Sequence, residues 1–142
     1  AIIYSSLAGQ VGDYIAEKNE VPGVRAYLQP TTRTRRFPSM LVKQSLGRFG
    51  PWFNLVTHFA LEGAFWFPFR SIFNQLRTDV LGLPKMGLLG AWTRGTNPTV
   101  YGYSPTLLPK PDDWDPEQIC VSGFWFLDKP STFTPPADLE EV

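Results

Sequence analysis

"AIIYSSLAGQVGDYIAEKNEVPGVRAYLQP", residues 1–30, decides how the rest of the chain is read. Its opening, "AIIYSSLAG", has the apolar character of a short strand running into a loop. "QVGDYIAEKN" carries Val11, Tyr14 and Ile15 at helical spacing, which predicts a helix with those residues on its apolar side. Pro22 and Gly23 stop it, and "VRAYLQP" supplies a second strand rich in strand-forming residues. Strand, helix and strand with short joints make a parallel βαβ unit, whose sheet is normally covered on both faces. The predicted class is therefore α/β with a parallel sheet. Because the first residues already read as a buried strand, and no methionine precedes them, the chain is expected to be a piece of a longer protein whose sheet begins earlier.

Outward from this unit, residues 29–51 are rich in turn formers and read as a long loop, a length that in compact domains usually goes with function or mobility. Its centre, "TTRTRRFPS" at 31–39, gathers three arginines. From Pro51, which suits a first helical turn, Trp52, Val56, Phe59, Trp66, Phe69 and Phe73 recur at helical spacing. Phe53, Ala60, Ala64 and Phe67 cover another side, so the apolar surface is too broad for a half-exposed helix. Asn54, His58 and Glu62 form the polar stripe. Pro68 is expected to kink this helix or split it in two. "RSIFNQLRTDVLGLP" continues as helix to Gly82–Pro84, "TVYGYSP" and "ICVSGFWFL" read as two more strands, and "DKPSTFTPPADLEEV" reads as a proline-rich linker.

The totals narrow the function classes. With 142 residues the chain has room for one domain, and 43% hydrophobic content argues against general disorder. Cys120 is the single cysteine, so neither an intrachain disulfide nor a cysteine-rich metal site is expected. No leading signal segment or uninterrupted membrane-spanning run is present. The net charge of zero hides a division: no acidic residue lies between Glu20 and Glu62, whereas the chain from Asp112 onward is strongly acidic. Such separation steers anionic ligands or joins the two regions to each other. A nucleic-acid role lacks the broad positive excess it requires. There is no Gly-x-Gly-x-x-Gly, phosphate loop or nucleophile elbow.

Two readings stand beside each other for each conspicuous feature. The arginine loop is either a solvated segment paired with the acidic region or a grip for phosphate or carboxylate. The aromatic helix is either core or the wall of an apolar pocket or a membrane-facing surface. His58 reads as a structural histidine with Glu62, one turn on, as its partner. Asp13 and Asp79 read as ordinary helix charges.

"TTRTRRFP", "FNLVTHFALEGAFW", "NQLRTDVLGLP", "YGYSPTLLPKPDDW" and "VSGFWFLDKPSTFTPPADL" lie collinearly, and together they resemble the sterol 3-beta-glucosyltransferases and their bacterial relatives. The resemblance implies membership of the UDP-sugar-dependent glycosyltransferases, which have two Rossmann-like domains. This chain would be the later half of the N-terminal, acceptor-binding domain: a partial Rossmann-like parallel sheet with flanking helices over 1–126, with an interdomain linker over 127–142. The UDP-sugar, a co-substrate with no further cofactor or metal, would be bound mainly by a C-terminal domain outside this segment. The family's catalytic base lies near the start of its N-terminal domain and no residue here matches it, so the isolated chain is expected to be inactive.

Several roles are implied on that basis. Phe59, Phe65, Trp66 and Phe69 would wall a flat, lipidic acceptor. Arg33, Thr34, Arg35 and Phe37 would form a loop bordering the cleft, with His58 and Glu62 supporting. Transfer of a hexose, glucose by the resemblance, would invert the anomeric centre. The partners expected are that C-terminal domain and a lipidic or small-molecule acceptor. The expected location is cytoplasmic, with a peripheral membrane contact. A stand-alone lipid- or membrane-surface-binding module and a purely structural domain are the alternatives.

Overall fold

The computed structural model describes residues 1–93 and 97–126. Strand β1 (Ile2–Tyr4), helix α1 (Gly9–Lys18) and strand β2 (Gly23–Tyr27) form the expected unit. A long crossover follows, containing a 3₁₀ turn at Gln44–Phe49, helix α2 (Pro51–Gln75) and a second 3₁₀ turn at Leu88–Trp92. Strands β3 (Thr99–Tyr101) and β4 (Ile119–Val121) complete a four-stranded sheet, entirely parallel, in the order β1-β2-β3-β4. In register, Tyr4 lies opposite Arg25, Tyr27 opposite Tyr101, and Tyr101 opposite Val121. The class is α/β and Rossmann-like, as the sequence predicts. Residues 127–142, read as a linker, lie outside the described residues.

A strand order that never reverses sends successive right-handed crossovers to the same side of the sheet. Alternation along the strands puts Tyr4, Arg25, Tyr27, Thr99, Tyr101 and Ile119 on that side. The other side presents Ile3, Val24, Ala26, Val100 and Cys120, and among the described residues it is open: Ile3 and Cys120 are exposed. Among the described residues, then, cover is seen on one face only.

The apolar side read for α1 is also corrected. Its buried residues are Gly9, Gly12, Tyr14 and Ala16, whereas Ile15 is exposed. Small residues win because α1 lies directly on the tyrosines of the strands. A Cβ on Gly12 would meet the Tyr4 ring at 2.2 Å, and one on Gly9 would meet the Tyr27 hydroxyl at 2.5 Å. Close approach, not side-chain bulk, seats this helix.

Helix α2 runs unbroken through Pro68, so of the expected kink or split the split is corrected. The proline forfeits one bond, to the carbonyl of Ala64, and both residues sit on the exposed side, where solvent can reach the freed carbonyl. A π-helical turn at Leu76–Val80 extends the helix, which ends at Gly82 with φ 65° as Leu83 N–H donates to the Arg77 carbonyl at 2.7 Å. The buried centre is mainly aromatic: Tyr101, Tyr103, Trp114 and Ile119, flanked by Tyr27, Phe37, Leu108 and Val121. Trp114 stacks on Tyr101 at 5.1 Å between centroids.

Candidate functional site

The loop after β2 is built on Tyr101, whose hydroxyl accepts the Thr31 N–H at 3.1 Å and the Thr32 N–H at 2.8 Å. Held there, the arginine segment crosses the carboxyl end of the sheet, the end at which parallel α/β sheets ordinarily bind ligands. Each of its side chains is then assigned a partner by geometry. Arg33 Nε donates to both oxygens of Glu62 at 2.9 Å, Nη2 adds a further bond, and the guanidinium lies 4.1 Å from the centre of the Phe59 ring. Thr34 is buried and donates to Asp113 at 2.6 Å, while Asp113 also accepts the Arg35 N–H at 2.7 Å. Arg36 pairs with Asp112 at the exposed rim. Arg35 projects over Trp52, 4.5 Å from the ring centre. Phe37 packs edge-on against Trp114, whose Nε1 donates to the Arg33 carbonyl at 3.1 Å.

This explains the polar stripe on α2. Asn54, Thr57 and His58 are buried, because the loop backbone lies against that face of the helix. Asn54 Nδ2 donates to the Arg35 carbonyl at 3.0 Å, Thr57 Oγ1 accepts the Ser39 N–H at 2.8 Å, and His58 Nε2 donates to the Phe37 carbonyl at 3.1 Å. A helix that must satisfy loop backbone groups turns its polar residues inward and its apolar ones outward. His58 therefore has a partner the sequence did not suggest, and Glu62 is gripped by Arg33.

The four aromatics expected to wall an acceptor do not stand together. Trp66 is 0% exposed: it is stacked on Phe73, close against Gly90, and donates from Nε1 to the Leu88 carbonyl at 3.1 Å. That is a core position. Phe65 and Phe69 are 58% and 47% exposed, on the outer side of α2. Phe59 is half-buried between Arg33 and Trp92.

Between α1, β2 and the far part of the crossover lies a polar cleft of about 620 Å³. Asp13 and Glu17 of α1, Arg25 of β2, and Thr31, Thr32, Glu62 and Arg77 from the crossover all reach it. A smaller depression of about 430 Å³ shares Arg25, Thr32, Asn97 and Thr99 with it and is also lined by Arg33, Asp113, Trp114 and Asp115.

Asp13, read from the sequence as an ordinary helix charge, is the hub of the larger one. It accepts from Tyr4 Oη, from Arg25 Nη2 at 2.8 Å and Nε at 3.2 Å, and from Asn97 Nδ2 at 2.9 Å. Burial, reinforced by the hydrogen bond to Asp13, pushes the Tyr4 hydroxyl up to about 12. Burial does the same for Tyr14 and Tyr27, each to about 12. Across the cleft, hydrogen bonds from Arg77 at 2.7 and 3.0 Å hold the Glu17 carboxyl below its usual range. A carboxylate set among small residues on one helix side was the available signal for Asp13; its meaning needed Arg25 to be placed on the adjoining strand.

The same order of residues recurs in known proteins. A sterol 3-beta-glucosyltransferase of Saccharomyces cerevisiae strain YJM789 is 38% identical over 99% of this chain and 11% of its own length. Those of Leptosphaeria maculans and Pichia angusta are 35% and 37% identical, over 97% and 95% of this chain and 9% and 11% of theirs. The chain corresponds to one segment of the sterol 3-beta-glucosyltransferases. It spans only about a tenth of the length of these curated relatives, at 9 to 11%. No family model matches it. In this sterol 3-beta-glucosyltransferase-like segment, among the described residues, no helix is long and apolar enough to cross a membrane, and no three His, Cys, Asp or Glu side chains converge to hold a metal ion.

Proposed function

We propose that this chain is the acceptor-side part of a UDP-sugar-dependent glycosyltransferase. The enzyme moves a hexose, glucose by the names of the relatives, onto the hydroxyl of a sterol-like or other lipidic acceptor, with inversion at the anomeric carbon. The observation that carries this reading is the collinear match to sterol 3-beta-glucosyltransferases along 99% of the chain. The base and most contacts to the UDP-sugar come from other parts of the protein, the latter from a C-terminal nucleotide-sugar-binding domain, and no cofactor is needed. The share of this segment is positioning: it holds the acceptor hydroxyl where a base can take its proton as UDP departs, which contributes to rate without any proton transfer of its own.

Phe65 and Phe69 are the members of the aromatic set whose rings are free to meet a flat apolar ligand, with Phe59 between them and the loop. Thr31 and Thr32 form the loop side of the cleft, Arg33, Thr34, Arg35 and Phe37 fix the loop that carries them, and His58 and Glu62 hold that loop to α2. In the full-length protein, given UDP-glucose and a sterol, Phe65→Ala with Phe69→Ala raises the acceptor KM several-fold and leaves the KM for UDP-glucose unchanged. Movement of the sugar KM alone would remove the two residues from the acceptor site. A full-length protein that transfers no sugar to any sterol would end the functional reading.

A further inference from the structure

The apolar side chains around the first turn of α2 are turned away from the protein. Trp52 is 68% and Phe49 61% exposed, and Met40, Leu41 and Val56 are exposed beside them in sequence. Trp52 and Val56 share a helix face by their four-residue spacing. Phe49, at the end of the 3₁₀ turn Gln44–Phe49, sits 5.4 Å from Phe53 between ring centres. The backbone beneath this group is pinned, since Ser39 is bonded to Thr57 and the Arg35 carbonyl to Asn54. The outward aromatics are therefore a consequence of the inward polar stripe and belong to a fixed surface.

Cations accompany these rings. Arg35 covers Trp52, and Arg48 lies 5.5 Å from the centre of Phe49. Lys43, just before that turn, is exposed. Among the described residues none of the three enters an ion pair, whereas Arg36 is satisfied by Asp112. Asp113, near Arg35, is occupied by the Thr34 hydroxyl and the Arg35 N–H. From Val21 to Leu61 the sequence holds no acidic residue at all.

An aromatic cluster whose rings carry cations that enter no ion pair among the described residues suits the boundary between lipid headgroups and acyl chains. There indole and phenyl rings insert while guanidinium groups meet phosphates. The open sheet face offers a contrast: Ile3, Val24, Ala26, Val100 and Cys120 include no charge, and a flat uncharged β face suits packing by another layer of protein.

We infer that Phe49, Trp52 and the adjoining Arg48, Lys43 and Arg35 form a docking surface for an anionic lipid bilayer. The surface rests on the proposed lipidic acceptor for its purpose: it holds the acceptor-side lobe at the membrane from which such an acceptor is drawn.

The test is flotation of the full-length protein with vesicles of phosphatidylcholine alone or mixed with phosphatidylserine. Binding is expected on the mixed vesicles and is weakened by salt. Arg48→Ala lowers the partition coefficient about fivefold, the loss of one cation near an anionic surface, and Phe49→Ser with Trp52→Ser lowers it further. All three side chains are exposed, so the substitutions are expected to leave the fold intact, and unchanged circular dichroism checks this. Equal binding by the parent and the double variant, or binding indifferent to phosphatidylserine, overturns the assignment. A paired sugar-transfer assay separates this from the functional reading. The double variant loses activity on sterol embedded in mixed vesicles and keeps it on sterol delivered in cyclodextrin. If the parent transfers no sugar in either format, the functional reading falls and flotation alone decides the docking surface.

Discussion

Glu62→Ala tests whether the arginine loop is tied to α2 by the pair that the geometry shows. The Arg33 and Glu62 side chains are 16% and 23% exposed, which places the pair between a surface ion pair and a buried one. Exposed pairs contribute about 0.2–1 kcal/mol, and removing one partner of a buried pair costs about 3–5 kcal/mol. Arg33 engages both carboxylate oxygens and also has the Trp92 carbonyl at 3.3 Å, so part of its hydrogen bonding survives the loss of Glu62. Charge-assisted bonds contribute about 1.5–3 kcal/mol, so a loss of about 2 kcal/mol is expected for Glu62→Ala.

The assay is urea unfolding of the chain followed by circular dichroism, in a cycle with Arg33→Ala. That second variant also loses the contact over Phe59, which the cycle cancels. The expected coupling is about 1.5 kcal/mol, and Arg33→Lys, which keeps the charge but not the planar fork, behaves like a partial loss. The exposed Arg36–Asp112 pair serves as the reference, with coupling below measurement error. A Arg33–Glu62 coupling as small as that of the reference pair would refute the tie.

Other outcomes follow from the packing of α1 and from its tyrosines. Gly12→Ala should destabilise by about 1–3 kcal/mol despite the better helix propensity of alanine, because its Cβ would lie 2.2 Å from the Tyr4 ring. Gly87→Ala, with no atom within 4 Å of the new methyl, should be neutral, and equal urea midpoints for the two would contradict the seating of α1. Tyr4, Tyr14, Tyr27 and Tyr103 are each pushed up to about 12, chiefly by burial, from an ordinary value near 10. Their protonated forms are favoured by folding, so their contribution is complete below pH ~10 and is lost as pH rises towards about 12. Phenolate absorbance titrating in one step at the free-tyrosine value while the chain remains folded would count against their burial.

The sequence alone determined the class of the fold. Alternation and punctuation in residues 1–30 specify strand, helix and strand, because backbone periodicity and the limits set by proline and glycine are local properties. It also determined the long helix from Pro51 and its stop at Gly82. The five collinear motifs, from "TTRTRRFP" to "VSGFWFLDKPSTFTPPADL", were enough to indicate the family.

Only the tertiary structure decided which side of each helix faces inward. For α1 the burial of Gly12 over Ile15 depends on how near the Tyr4 ring comes. For α2, hydropathy pointed the aromatics inward. The unsatisfied backbone of the loop instead claimed Asn54, Thr57 and His58, and left Phe65 and Phe69 outside. Asp13 gained its meaning in the same way, from Arg25 on a neighbouring strand twelve positions away. Which donor meets which acceptor depends on distances that close only when the chain has folded, and a linear pattern does not carry them.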